Sequence, residues 1–575
     1  MPALIPQITL KLNDNQLGQT ASTGLNSHVV IGPTLNGVPN TVYTYTTITA
    51  LVDEQGGGMA TEQAANILRS SNAPVYVVPT GTSSSGSTGT LTDTRVTGNV
   101  YSSGVAYCSG LASGSSQVIL LLGTAAPDLI SNGGYTYDLS LDNGLTYAGP
   151  VALPTSGLVT VNGVDIQLFG LFYDGDSVRV NFVSGETVDK YAGVARAVGV
   201  VSTGTFVISG TPIDEYNVKI VVKNAGVVEP GTALRFTYSL DGGKTESSQI
   251  SCPSSGIYDI PNTGVTVTLA GFFNAGDIFE FSTNGPSYGF ADAQVAFDAF
   301  MASPYNVKGV HFVGTAQGAS NTIKATNAAA FATAVSLLVE SRESEGFYSV
   351  AYTDGADVSD IDYQIQFANV QSKRLCVGAG MVDLISAIDG RFMKRSCQWP
   401  HVAFLSANAL STHSGEFARG ALAGVTKIYR DERLTPNLDL LGFTTTRTEL
   451  GIPGFYITRG LTFAGSTSDF RRLPNMRVMN EACTLARRAA VRFLNTKVRT
   501  NAGTGTITED AANVIESYIE RSVLNIMSIE PDIQGFKVTV DRTWNVLSTS
   551  LIKATLKVRP FGYAEYIDLD ISFTL

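Results

Sequence analysis

"YDLSLDNGLTY" (Tyr137–Tyr147) and "FTYSLDGGKTE" (Phe236–Glu246) are two copies of one stretch. The likeness resumes downstream, where "VTVNGVDIQLFGLFYDGDSVRVNF" (Val159–Phe182) is answered by "IPNTGVTVTLAGFFNAGDIFEFST" (Ile260–Thr283). A repeat of about 100 residues is the size of a domain rather than of a solenoid unit. Asp142-Asn143-Gly144 and Asp241-Gly242-Gly243 supply turn residues that tolerate positive φ. Short alternating segments between such turns, with almost no helical periodicity, predict two small β-sandwiches, 88–190 and 191–284. "GTSSSGSTGT" (Gly81–Thr90) reads as a flexible linker before them.

On either side of this pair the pattern changes. "SHVVIG" (Ser27–Gly32) and "VYVVPT" (Val75–Thr80) read as buried strands, with a helix at Thr61–Arg69 between them. Beyond Gly285, strands are expected at Val307–Gly314, Phe347–Thr353, Arg374–Val377 and His401–Ser406. Helices are expected at Thr326–Glu340, Ser359–Val370, Met381–Ile388 and Gly415–Ala423. Strand–helix alternation builds a parallel sheet covered on both faces. Residues 21–87 and 285–430 therefore read as one α/β domain that the sandwiches interrupt.

The chain has 575 residues, 44% hydrophobic and 15% charged, with a net charge of −11. Residues 88–284 carry 8 basic and 17 acidic side chains, which is −9 of that total. No aliphatic run approaches the roughly 20 residues of a membrane span, and the first residues lack the pattern of a secretory signal. A soluble protein of a cytoplasm is the expectation. Cys108, Cys252, Cys376, Cys397 and Cys483 are widely spaced and odd in number, which predicts buried thiols rather than a disulfide framework or zinc site.

Signs of chemistry are few. "VGAGMVD" (Val377–Asp383) lacks the third glycine of a dinucleotide fingerprint, and the acids of "DGADVSDID" (Asp354–Asp362) do not fit an EF-hand loop. Cys397 and His401 stand four apart, a weak metal signal. Asp142, Asp174 and Asp176 offer carboxylates to calcium, although surface turns use such residues without any ligand. No nucleophile–base pairing is visible, so no catalytic, metal or cofactor residue is assigned.

The last third is more informative. "DFRRLPNMRVMNEACTLARRAAVRFLNTKVRT" (Asp469–Thr500) reads as a long helix entered at Pro474. Met476, Met479, Cys483, Ala486, Ala490 and Phe493 form its apolar stripe. Arg477, Arg488, Arg492 and Arg499 fall off that stripe. A second helix begins in "GTITEDAANVIESYI" (Gly505–Ile519), and strands are expected at Gly535–Asp541, Leu551–Arg559 and Tyr563–Leu575. Both ends of the chain alternate. Ile8, Leu10 and Leu12 do so at the start, and Ile567, Leu569, Ile571 and Phe573 at the finish. Such ends either pair within their own domain or add to the sheet of a partner.

"DFRRLPNMRVMNEAC" (Asp469–Cys483), its helical successor, the ending "KATLKVRPFGYAEYIDLDISF" (Lys553–Phe573) and the opening "SHVVIGPTLNGVPNTVYTYTTITALVDEQGG" (Ser27–Gly57) together resemble contractile tail sheath proteins of myophages and related injection systems. The resemblance covers about 1–80 and 285–575. It implies a subtilisin-like α/β core without a catalytic triad, an α+β C-terminal assembly domain at 431–575, and outward-facing inserted sandwiches. It further implies a helical homo-oligomer whose arms, 1–20 and the C-terminal strand, are exchanged between subunits. The expected partners are a tail tube protein, with Arg477, Arg488, Arg492 and Arg499 as its candidate contacts, and baseplate and tail terminator proteins. No cofactor, nucleic acid or membrane insertion is implied. The place would be a virion tail assembled in a bacterial cytoplasm. The competing reading makes the sandwiches the working part, as a β-sandwich adhesin or carbohydrate-binding structural protein. An α/β hydrolase with appended binding domains is a third.

Overall fold

The computed structural model describes residues 26–568, apart from 96, 100–103, 125–128, 196–197, 203, 229–233, 315–317 and 529–530. The chain forms two compact units, Met1–Ser84 with Ser287–Leu575, and Ser85–Pro286. Ile8, Leu10, Leu12, Leu569, Ile571 and Phe573 lie outside the described residues.

The first unit is built on a six-stranded sheet in the order Tyr43–Tyr45, Val75–Pro79, His28–Gly32, Gly309–Phe312, Val350–Asp354, Leu375–Gly378. All neighbours run parallel except the first pair. The five parallel strands are buried at every residue, which explains why they are mostly apolar, with His28, His311, Thr353 and Asp354 as buried polar exceptions. Helices Phe290–Met301, Asn321–Ser341 and Asp360–Gln366 supply Phe297, Phe300, Val335 and Tyr363 to one face. Helices Ile48–Gln55, Met59–Ser70 and Gln398–Ala407 supply Leu51, Ala64, Trp399 and Leu405 to the other. Asn321–Glu345 is long and apolar enough to cross a membrane by length and composition alone, yet Ala328, Ala332, Val335 and Val339 pack into the core against the sheet.

Three expected elements are different in kind. His401–Ser406 belongs to the helix Gln398–Ala407. It is apolar almost all round because the helix is buried, and a short apolar run does not distinguish helix from strand. Met381–Ile385 is a strand between Phe392–Ser396 and Val425–Ile428. Gly415–Ala423 holds only a single turn, Phe417–Arg419, closed by Gly420 at φ 86. The core also runs past residue 430, since Leu438, Phe443 and Phe463 pack into it.

Helices Leu473–Ala490 and Glu509–Met527 pack on the antiparallel hairpin Gly535–Val540 with Ala554–Arg559 through Val478, Leu485, Ile515, Ile519, Val523, Phe536 and Val538. The first helix stops at Ala490, short of the expected Thr500, with one further turn at Val491–Phe493. Tyr563–Asp568, the described part of the expected final strand, forms no strand.

In the second unit each repeat is a two-sheet sandwich. The first pairs a five-stranded sheet with the four-stranded sheet Leu158–Val161, Val164–Phe169, Val105–Leu111, Thr187–Tyr191. The incoming chain does not start that repeat. Ser87–Thr88 and Thr92–Thr94 pair with Ile278–Asn284, the last strand of the second repeat. The boundary expected at 88 is therefore wrong, because the first repeat is nested inside the second. Nor is Gly81–Thr90 free linker throughout, as Ser84 bridges to Ser287 in the first unit.

Candidate functional site

The C-terminal segment is fastened at Tyr563 and Glu565. The Tyr563 hydroxyl donates to the Ser411 carbonyl at 2.7 Å, and the Tyr563 ring lies 5.3 Å from that of His413. Glu565 accepts from Arg472 Nε at 2.7 Å and from Arg459 Nη1 at 3.3 Å. Burial works against the Glu565 charge, but the two arginines outweigh it and hold the carboxyl below its ordinary pKa. Immediately afterwards Tyr566 is 83% and Ile567 74% exposed. Nothing local in the sequence foretold this clamp, since Arg459 and Arg472 lie about a hundred residues away along the chain.

The hairpin above is asymmetric. Its inner strand buries Phe536, Val538 and Val540, whereas Ala554–Arg559 is exposed along nearly its whole length. Lys553, Lys557 and Arg559 are among the exposed side chains.

Of the four arginines, Arg488, Arg492 and Arg499 are exposed. Arg492 also lies over the Tyr518 ring, 5.6 Å from its centre. Arg477 is different: it is 1% exposed, and its Nη2 donates to the Leu405 carbonyl at 2.8 Å. The early turns of its helix are covered on several sides, with Leu473 and Met476 in the sheet core and Val478 and Ala482 against the second helix. A single apolar stripe does not describe such a helix, so Arg477 cannot face a tube. Its acceptor is one of the last carbonyls of Gln398–Ala407, where a helix leaves them unpaired and where positive charge is favoured.

Two buried histidine groups that no spacing revealed look superficially chemical. His401 Nε2 is 2.8 Å from Ser414 Oγ, and its Nδ1 is 3.3 Å from Gln398 Nε2. His311 lies between Gln63, at 3.1 Å, and Asp354, at 3.2 Å. In the first group an amide stands where a triad carboxylate would orient the imidazole. His401 is wholly buried, and burial followed by the charge of Arg477 pushes its pKa down to about 3. A base so weak and so enclosed has no route to a substrate. The Cys397 thiol, by contrast, is turned to the Thr444 carbonyl at 3.3 Å. All five cysteines are free, with Cys483 partly exposed. Among the described residues no three His, Cys, Asp or Glu side chains gather as a metal site.

The duplicated turns are self-contained. Asp142 accepts from the Thr146 amide at 2.9 Å and hydroxyl at 2.6 Å, and Asp241 repeats both bonds with Thr245 at 2.9 Å. These bonds, with that from Ser140, pull the Asp142 carboxyl down to about 2. Asp174 accepts from the Thr124 amide at 3.2 Å and Asp176 from that of Tyr173 at 2.9 Å. Each of the three candidate calcium carboxylates thus accepts from a backbone amide, Asp142 in its own turn, Asp176 across the turn it shares with Asp174, and Asp174 from Thr124.

A family model described as the C-terminal domain of DUF2586 matches residues 469–575, the stretch that holds the two helices, the hairpin and, of the clamp, Arg472, Tyr563 and Glu565. Solved structures similar to the chain include sheath tail proteins and contractile injection system sheaths. A sheath tail protein from Listeria innocua is 10% identical over 93% of this chain and 95% of its own, with a TM-score of 0.39. One from Desulfitobacterium hafniense is 10% identical over 97% and 100%, with a TM-score of 0.38. The contracted sheath complex of an extracellular contractile injection system is 12% identical over 48% and 74%, with a TM-score of 0.36. No curated protein matches.

Proposed function

We propose that this chain is a structural subunit of a contractile tail sheath. It polymerises around an inner tube by exchanging terminal strands, and it contracts to drive that tube through a host envelope. The observation that carries this reading is the C-terminal segment, clamped at Tyr563 and Glu565 with Tyr566 and Ile567 exposed just beyond, following a hairpin whose outer strand is exposed and unpaired on its outer side among the described residues. The residues that follow alternate Ile567, Leu569, Ile571, Phe573 and Leu575 with polar neighbours. Each such apolar side chain is worth roughly 1.5–3 kcal/mol when fully buried. Ordering the arm offsets much of that gain, so the strength of the lattice comes from repetition. The α/β unit, with its parallel sheet, is the subtilisin-like core without a working triad. Ile8, Leu10 and Leu12 form the second arm, and Arg488, Arg492 and Arg499 are the remaining candidate contacts to the tube. Baseplate and terminator proteins would close the two ends, and assembly would take place in the host cytoplasm.

Removing Tyr566–Leu575 tests the reading. The shortened chain should keep its circular dichroism and melting temperature, because the clamp remains, and should form no tubes under negative stain. Full-length tubes from the shortened chain would sink strand exchange.

One observation favours the adhesin reading of the insert. The outer face of the four-stranded sheet aligns Val105 with Phe169 and Tyr107 with Tyr191, and Phe169 and Tyr191 are 54% and 72% exposed. At the matching register of the second repeat, Thr205 faces Ala270 and Val207 faces Thr268. Binding of polysaccharide by the wild-type insert and not by a Tyr191→Ala, Phe169→Ala variant would support it.

A further inference from the structure

The two edges of the C-terminal hairpin are not equivalent. Asp541 N donates to the Lys553 carbonyl at 2.8 Å, and the register continues with Val540 opposite Ala554, Val538 opposite Leu556 and Phe536 opposite Val558. In an antiparallel pair, bonded and non-bonded positions alternate. The amides of Val538 and Val540 therefore point away from the partner strand on one side, and those of Ala554, Leu556 and Val558 on the other.

On the inner side these amides are already taken. Val540 N donates to Glu516 Oε1 at 2.7 Å and Val538 N to Glu520 Oε1 at 2.8 Å. Both acids belong to the helix Glu509–Met527, four residues apart. Four residues of helix advance about 6 Å, close to the roughly 6.6 Å between alternate residues of a strand. Two carboxylates on one helix thus meet two outward amides in succession, as the carbonyls of a neighbouring strand would. Glu516 is fixed from behind by Arg542, at 2.9 and 3.1 Å, and Arg542 Nη2 also donates to Asn513 at 2.7 Å.

We infer that Glu516 and Glu520 serve as a stand-in strand that closes the inner edge of the hairpin. A strand from a second copy of this chain can then add only along Ala554–Arg559. The inference rests on the strand-exchange reading above and gives it a direction. The terminal arm suits the open edge. With its apolar residues continuing the face of Leu556, its Asp568 and Asp570 fall on the face that carries Lys557 and Arg559. One closed edge also keeps added strands from continuing into an open-ended sheet, since pairing can proceed through a single edge of each hairpin.

Amide hydrogen exchange with residue-level fragmentation, on the full chain before and after assembly, tests this. Val538 and Val540 should be protected before assembly and unchanged by it, whereas Leu556 and Val558 should slow at least tenfold on assembly. Protection gained at both edges would overturn one-sidedness alone. No change at either edge would overturn strand exchange and this inference with it. In unassembled Glu516→Ala, Glu520→Ala protein, Val538 and Val540 should exchange at least tenfold faster. In Glu516→Gln, Glu520→Gln protein the side-chain carbonyls still accept and protection should persist. Unchanged exchange in the alanine variant would refute the cap. Should that variant fail to fold, the wild-type pattern and the glutamine variant still decide.

Discussion

Arg477 and Arg488 stand about three turns apart on one helix and have opposite fates. Arg488 meets solvent, while Arg477 sits beneath it in sequence but inside the fold, among His28, Tyr352 and His401. Burial first and the Arg477 charge second push His28 and His401 down to about 3 from an ordinary 6.5. Both rings are neutral when folded and free to protonate when unfolded. Their contribution to stability is therefore complete above pH 6.5 and is lost as pH falls toward about 3. At pH 5 each should weaken the fold by roughly 2 kcal/mol. Denaturant unfolding at pH 7 and pH 5 should show this drop, and an Arg477→Met variant should show a smaller one, since one cause of both shifts is gone. An unchanged midpoint between the two pH values would mean that the histidines are hydrated.

At the level of the element, the basic helix divides at the point where its burial ends. Arg488 and Arg492 lie beyond the packed early turns, and exposed ion pairs are worth only about 0–1 kcal/mol each. Such contacts are weak singly and strong when multiplied along a tube. Reversing both to Glu should lower the melting temperature only slightly, as Arg492 gives up its place over Tyr518, and abolish coating of tubes in the extended form, with self-assembly into contracted-like tubes retained. Normal coating at low and at physiological salt would remove this helix as the grip. The same helix shows where the sequence stops being legible. Its start at Pro474 and its apolar content were readable because they are local, but which arginine is covered depends on Leu405 and Asp532, distant in the chain. The all-buried strands of the sheet were readable for the opposite reason, since β-branched and aromatic runs such as Val29–Ile31 and Val75–Val78 admit little else. His401–Ser406 failed because complete burial erases periodicity. The clamp on Glu565 and the edge cap by Glu516 and Glu520 had no signature at all, because each is a meeting of separated segments.

Across the whole molecule, the duplication was legible and its nesting was not, because Thr92–Thr94 is too short and polar to announce which repeat it joins. That nesting bears on whether the insert can be removed. The first unit closes on itself where the insert leaves it. Ser83 N donates to the Ser287 carbonyl at 2.8 Å, Ser287 N to the Ser84 carbonyl at 3.1 Å, and the Ser83 hydroxyl to Asp292 at 2.6 Å. The chain thus enters and exits through bonded neighbours, so a short glycine linker can join Ser84 to Ser287 without strain. A cut at 88 would instead leave the other unit's strand Ser87–Thr88 divided. The removed part carries both sandwich cores and an excess of acidic over basic side chains, 17 to 8. Like charges repeated on every subunit repel and favour a solvent-facing position. Replacing 85–286 by such a linker should therefore leave the first unit with one cooperative melting transition and preserve tube formation. The excised 85–286 should fold by itself, as a β-type circular dichroism spectrum would show. A deletion variant that folds but forms no tubes would move the sandwiches from the periphery into the lattice contacts.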